Sequence, residues 1–216
     1  LNSTDEKIWL ILSDIQVANK LYNEALKSLT KAQNINSNIS EIYFAKSNIY
    51  LKISQQKEAK IALEKGLKIE PKNHKAIFQL GNIFLMEKNY LKSIKLFGKS
   101  AKIKPDFWPA INNQGLAYFE NDNVEKSIKL FEKAISIQKN AEPLLGLASC
   151  LRTTDTKLAI QLAKEALAKD PKYVNYDYRK EQLWGEKLQT STEILLQNEQ
   201  LKKDVILAKS KIIESS

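Results

Sequence analysis

HKAIFQLGNIFLMEKNYLKSIKLFGKSAKIKPDF, running from His74 to Phe107, is the stretch whose reading decides the fold. Ile77, Leu80, Phe84 and Leu85 recur at helical spacing. After a polar turn and Tyr90, a second apolar stripe follows in Ile94, Phe97, Ala101 and Ile103. Gly81 and Ser100 put small residues where two helices can pack closely. Pro105 stops the second helix, because proline lacks the backbone donor and disfavours a helical residue before it. The stretch therefore predicts two amphipathic helices and a turn.

Shifted by 34 residues, the chain repeats this pattern from Glu6, Ser40, His74 and Trp108 with no insertion or deletion. Large positions stay large, as at Leu29, Leu63, Phe97 and Phe131. Small positions stay small, as at Ser13, Ser47, Gly81 and Gly115, at Ala25, Ala59, Ser93 and Ser127, and at Ala32, Gly66, Ser100 and Ala134. The thirtieth position is isoleucine each time: Ile35, Ile69, Ile103 and Ile137.

Over residues 6–173 these positions resemble the tetratricopeptide repeat, a 34-residue helix-turn-helix with a Trp-x2-Leu-Gly-x2-Tyr first helix, an Ala-x3-Phe second helix and a closing proline. The departures are local. Gln16 replaces an aromatic, Lys46 replaces a leucine, and Ser37 and Lys139 stand where proline is common. The resemblance implies an all-α fold, a right-handed α-solenoid capped by C-terminal helices. Five repeats are expected over 1–173, at about 6–39, 40–73, 74–107, 108–138 and 139–173, with capping helices over 174–216. The fifth is compressed, since Gly146 follows Gly115 by less than the full period. The expected shortening is in the linker near Asn140, with a slightly longer turn at Thr153-Thr154-Asp155.

Element boundaries follow from capping and turn chemistry. Ser3 and Glu6 have capping-box spacing and predict a first helix from near Thr4. Turns are expected at Asn19-Lys20 and Asn121-Asp122-Asn123. Pro109 suits a first helical turn. Beyond the repeats, Tyr173, Tyr176, Tyr178, Leu183, Trp184 and Leu188 are read as one helix. Thr190 with Glu193 is read as a second capping box, opening a helix to about Ile213. Terminal helices cover the apolar side that a last repeat would expose, and docking a partner is the other reading of this segment. The stretch YRKEQLWGEKLQTSTEILL is also similar to the C-terminal ends of repeat proteins of this family from cyanobacteria and chloroplasts, some of them lumenal.

The resemblance also implies a binding surface. In the family the first helices line a concave groove, and contacts come from positions 2, 5, 6, 9, 12 and 13. Here position 5 gives Leu10, Phe44, Phe78 and Asn112, and position 9 gives Asp14, Asn48, Asn82 and Leu116. Lys75, Gln79, Pro109, Asn113 and Phe119 complete the central wall. Asparagine both donates and accepts, so it can pair with an extended peptide backbone, while Phe44 and Phe78 can receive apolar side chains. The structural reading of the same residues is helix-on-helix packing. The subtype that grips an acidic C-terminal peptide wants lysine at position 5 and does not match.

The net charge is +9, and residues 172–216 carry eight basic and seven acidic side chains, so the excess lies in the repeats. Lys65, Lys68, Lys72, Lys95, Lys99, Lys102, Lys104, Lys129 and Lys133 ride the second helices and linkers. Such a face is read as solvated. Only Arg152 and Arg179 among the 34 basic residues are arginine. A basic face poor in arginine and aromatics reads bases badly, so RNA or an anionic membrane is the rival and an acidic protein partner the expectation. Self-association through the C-terminal helices is a further option.

Catalysis and metal binding find little support. The single histidine, His74, lies between repeats, and Gly98-Lys99-Ser100 falls inside a predicted helix rather than a phosphate loop. No cofactor is expected, and the chain is read as a non-enzymatic scaffold. No apolar run approaches the roughly 20 residues needed to span a bilayer. The first residue is Leu1, so a leader could precede it, and cytoplasmic, lumenal and periplasmic locations stay open. The lone Cys150 excludes an internal disulfide and is read as a small buried side chain.

Overall fold

A computed structural model describes residues 5–214 of the chain. The described residues form an all-α solenoid of consecutive helix pairs, and no strand occurs among them. Four pairs share one design: Glu6–Ala18 (α1) with Tyr22–Ile35 (α2), Ser40–Lys52 (α3) with Gln56–Ile69 (α4), His74–Met86 (α5) with Tyr90–Ile103 (α6), and Trp108–Glu120 (α7) with Val124–Ile137 (α8). First helices start one repeat period apart, and so do second helices. Ala141–Leu151 (α9) and Thr156–Lys169 (α10) make the fifth pair. After a 3-10 turn, Pro171–Val174, come Tyr176–Glu181 (α11), Glu186–Leu196 (α12), a 3-10 turn Glu199–Leu201, and Lys202–Glu214 (α13).

The turns inside the pairs have a common mechanism. Lys20, Ser54, Lys88 and Asp122, each one period from the next, have φ of 60°, 61°, 57° and 61°. That left-handed residue lets the following amide reach back over the helix end: Leu21 N to Gln16 O, Gln55 N to Tyr50 O and Asn89 N to Phe84 O at 2.8 Å, Asn123 N to Tyr118 O at 2.9 Å. Where the next residue is asparagine, its side chain also caps the second helix, Asn89 accepting from Lys92 N and Asn123 from Lys126 N.

The chain divides into two compact units, the residues up to Ile83 and those from Phe84 on. In the first, Trp9, Ala25, Leu29, Ala32, Ile42 and Ile49 form a core, and Lys31 lies over the Trp9 ring at 4.2 Å. Two departures from the repeat pattern are absorbed by hydrogen bonds. Ser28 Oγ donates to Gln16 Oε1 at 2.8 Å, and Lys46 Nζ donates to Gln33 Oε1 at 2.6 Å and Thr30 Oγ1 at 3.1 Å. Burial, with Lys65 nearby, pushes the Lys46 ammonium below its ordinary pKa.

In the second unit Leu116, Phe131, Leu144, Leu145, Ala163 and Leu167 share one core with Trp184, Leu188, Leu195, Leu196 and Leu201 of the C-terminal segment. Phe131 fills the space left by two small residues: a Cβ on Gly146 would stand 2.8 Å from its ring, and one on Gly115 3.1 Å. The fifth pair is shortened in its linker and lengthened in its turn as expected, and its first helix is shortened as well. Its linker, residues 138–140, is one residue shorter than 104–107. The helix α9 itself has 11 residues where α7 has 13.

Three boundary expectations are corrected. The first helix begins at Glu6, because extended Asp5 is the cap and accepts from Lys7 N at 2.9 Å; Ser3 lies outside the described residues. The aromatic segment is not one helix, since Leu183 takes φ 65° and separates α11 from α12. Thr190 and Glu193 cap nothing, for both lie within α12: Thr190 Oγ1 donates to Glu186 O, and Glu193 is the partner of Arg179. Gly98, Lys99 and Ser100 lie inside α6, as a phosphate loop could not.

Candidate functional site

The residues assigned to the groove fall on α1, α3, α5 and α7. In the first unit Phe44 and Asn48 stand one turn apart on α3, and Phe78 and Asn82 one turn apart on α5, as i, i+4 pairs do. Gln79 Nε2 donates to Asn48 Oδ1 at 2.7 Å and ties these two helices. Asn48 and Lys75 are exposed, and Phe44, Phe78, Gln79 and Asn82 are half-buried. The Phe44 ring lies over Gly66 of α4, where a Cβ would overlap it. Phe44 is thus seated by its own repeat, as the packing reading held, with part of its surface open. Leu10 is half-buried against the core of this unit.

Asn112, Asn113 and Phe119 of α7 have a different fate. Asn112 is 0% and Asn113 7% exposed, with Asn112 Nδ2 donating to Asn113 Oδ1 at 3.1 Å. Phe119 packs against the C-terminal core. α12 lies against α7 and α9, and Asn112 meets Glu142 of α9, which in turn holds Trp184 of the C-terminal segment. Leu116, another groove position, is fully buried in the same core.

Sequence reasoning missed the groups that hold α12 there. Glu120, the last residue of α7, accepts from Leu188 N at 2.9 Å and Lys187 N at 3.3 Å, so one carboxylate satisfies two amides at the start of α12. Burial raises its pKa, and those two hydrogen bonds oppose the rise. Glu142 of α9 accepts from Trp184 Nε1 at 3.2 Å and also meets Asn112 and Tyr173. Burial outweighs these partners and raises its pKa to about 7. Arg179 is fully buried and donates to Gln189 Oε1 at 2.8 Å, to Tyr173 O at 2.7 Å and to Glu193. Its burial lowers its pKa. One signal was present: arginine is rare in this lysine-rich chain, and a planar guanidinium serves several fixed buried acceptors where an ammonium does not.

The remaining singled-out residues have plain settings. Cys150 is buried with Sγ 3.6 Å from Ser127 Oγ, and desolvation pushes its thiol up to about 12. The nine lysines of the second helices and linkers are exposed. Among the described residues, no cluster of three His, Cys, Asp or Glu is placed to hold a metal, and no helix is long and apolar enough to cross a membrane.

The tetratricopeptide repeat family model matches residues 40–73 and 109–140. A search of curated proteins gave no match. Solved structures resemble the chain in fold. MamA (41-end) from Desulfovibrio magneticus RS-1 superposes with a TM-score of 0.70 at 21% identity, covering 76% of this chain and 93% of that one. YrrB, a TPR protein with an unusual peptide-binding site, gives 0.68 at 15% identity over 83% and 94%. PilF of Pseudomonas aeruginosa gives 0.67 at 14% identity over 92% and 95%. At such identities the likeness is one of fold.

Proposed function

From the premise that this chain is a tetratricopeptide repeat protein, a fold that serves as a scaffold for protein-protein interaction, we propose that it holds an extended segment of a partner protein on the first-helix face of α3 and α5. The observation that carries this reading is the Asn48–Gln79 hydrogen bond, which joins the polar groups of two neighbouring first helices between Phe44 and Phe78. Amides so placed can switch from each other to a peptide backbone, and the open parts of the two rings can take its apolar side chains. Leu10, Lys75 and Asn82 extend the face. Asn112 and Asn113 of α7 are left out of it, because they are buried.

A peptide ligand agrees with what YrrB is described as binding. The net charge of +9 and the exposed Lys75 favour acidic residues beside the apolar ones. The role is that of a scaffold, and repeat proteins of this kind are generally not enzymes.

A peptide library displayed on phage and selected on the native chain tests the reading. Selected sequences should share spaced apolar residues with acidic neighbours. They should lose binding to a variant carrying Asn48→Ala, Phe78→Ala and Gln79→Ala whose circular dichroism matches the native chain. Equal retention by the variant, or binding only of polyanions that elutes steeply with salt, overturns it in favour of the lysine faces.

A further inference from the structure

Equivalent positions of the first helices show what each position does. At the third and tenth residues, Ile42 and Ile49 of α3, Ala76 and Ile83 of α5, and Ala110 and Ala117 of α7 are no more than 2% exposed. These are the positions at which a first helix meets the second helix before it, as α3 meets α2 and α7 meets α6. In α1 the same positions are Ile8 and Ile15, with Ile11 at the sixth, and they are 40%, 54% and 61% exposed. α1 thus exposes the apolar i, i+3, i+7 stripe whose counterparts in α3, α5 and α7 are buried, and it is richer in isoleucine than they are.

The last helix supplies a surface of matching form. α13 packs Val205, Ala208 and Ile212 against the C-terminal core and turns Ile206, Leu207 and Ile213 outward, at 61%, 54% and 78% exposure. Ile206 to Ile213 and Ile8 to Ile15 each span two helical turns, about 10 Å. The charges around the stripes are opposite. Beside the α1 stripe stand Asp5 and Asp14 against Lys7, a net negative edge in a chain of net charge +9, with Glu6 on the far face of the helix. α13 holds Lys202, Lys203, Lys209 and Lys211 against Asp204 and Glu214. Like charge works against pairing α1 with α1 or α13 with α13, and favours the unlike pair.

We propose that α13 of one copy docks on the Ile8, Ile11 and Ile15 face of α1 of a second copy, so that the chain associates head to tail. Such an interface uses two different patches, leaves one of each unfilled at the ends, and therefore grows with concentration into a ring or an open chain.

Sedimentation equilibrium tests this with two variants, Ile11→Asp and Ile206→Asp. Both side chains face solvent, so thermal unfolding of each should match the native chain. The native chain should gain mass as concentration rises, and each variant alone should stay at monomer mass. Mixed in equal amounts, the two variants should form a dimer and stop there, because the intact α13 of one meets the intact α1 of the other. Ile15→Asp paired with Ile213→Asp should repeat the pattern. A native chain that stays monomeric overturns the proposal. So does a single variant that still associates, or a mixture that remains monomeric.

Discussion

Trp184 donates its indole hydrogen to the Glu142 carboxylate at 3.2 Å, joining the residue two places before the start of α12 to the first turn of α9. The bond places an ionisable group where burial raises its pKa to about 7 from an ordinary 4.5. The folded chain then keeps a proton that the unfolded chain releases. Stability from this group is complete below about pH 4.5 and falls as pH rises toward and through about 7. Thermal melts between pH 5 and pH 8 should show a loss on the order of 2 kcal/mol. Glu142→Gln should flatten most of that slope, leaving the part due to Glu120, whose pKa is raised in the same direction.

Arg179 is the group whose removal should cost most. Its guanidinium serves Gln189, Glu193 and the Tyr173 carbonyl from a fully buried position. Arg179→Ala leaves buried acceptors unpaired and opens a cavity, and should lower unfolding free energy by about 3 kcal/mol in urea titrations. Lys88→Ala breaks only the exposed Lys88–Glu186 pair and should leave the midpoint unchanged.

Glu120 and Gly185 act together. A Cβ on Gly185 would overlap the Glu120 carboxylate that caps α12. Gly185→Ala should therefore destabilise the C-terminal segment, and Glu120→Ala, which orphans two amides, should cost about 2 kcal/mol. Hydrogen exchange at Lys187 and Leu188 should rise in both variants before exchange in α8 does.

Cys150 should be inert. With its thiol pushed up to about 12 and its side chain buried, it should not react with a neutral aromatic disulfide reagent in the native chain, and should react at once in denaturant.

What the sequence made legible, and what it hid, divides along the range of the interactions involved. The helix pairs could be read because their signals are local: Ala25 and Leu29, or Ser127 and Phe131, declare their faces at four-residue spacing. The break at Leu183 carried no such signal: the turn closes locally, Trp184 N to Arg179 O at 3.1 Å, but on a leucine, a type that rarely takes the left-handed conformation. Asn112 and Asn113 were assigned to an open face because long-range contacts leave no mark on local spacing: Asn112 meets Glu142 of α9, which holds Trp184 far along the chain. Asn48 is exposed and Phe78 and Gln79 are half-buried, so part of each is open.

The recurring left-handed residues of the turns leave the chain with unclaimed heat resistance. Lys20 and Ser54 adopt a conformation that strains any residue with a Cβ, whereas Asp122 belongs to a type that tolerates it. Replacing Lys20 or Ser54 by glycine should raise the melting point by an amount equivalent to about 0.5 kcal/mol each, and Asp122→Gly should raise it by less. Because Lys20 and Ser54 lie in turns and not on α3 or α5 themselves, a more durable version of the protein can be made by altering only its corners.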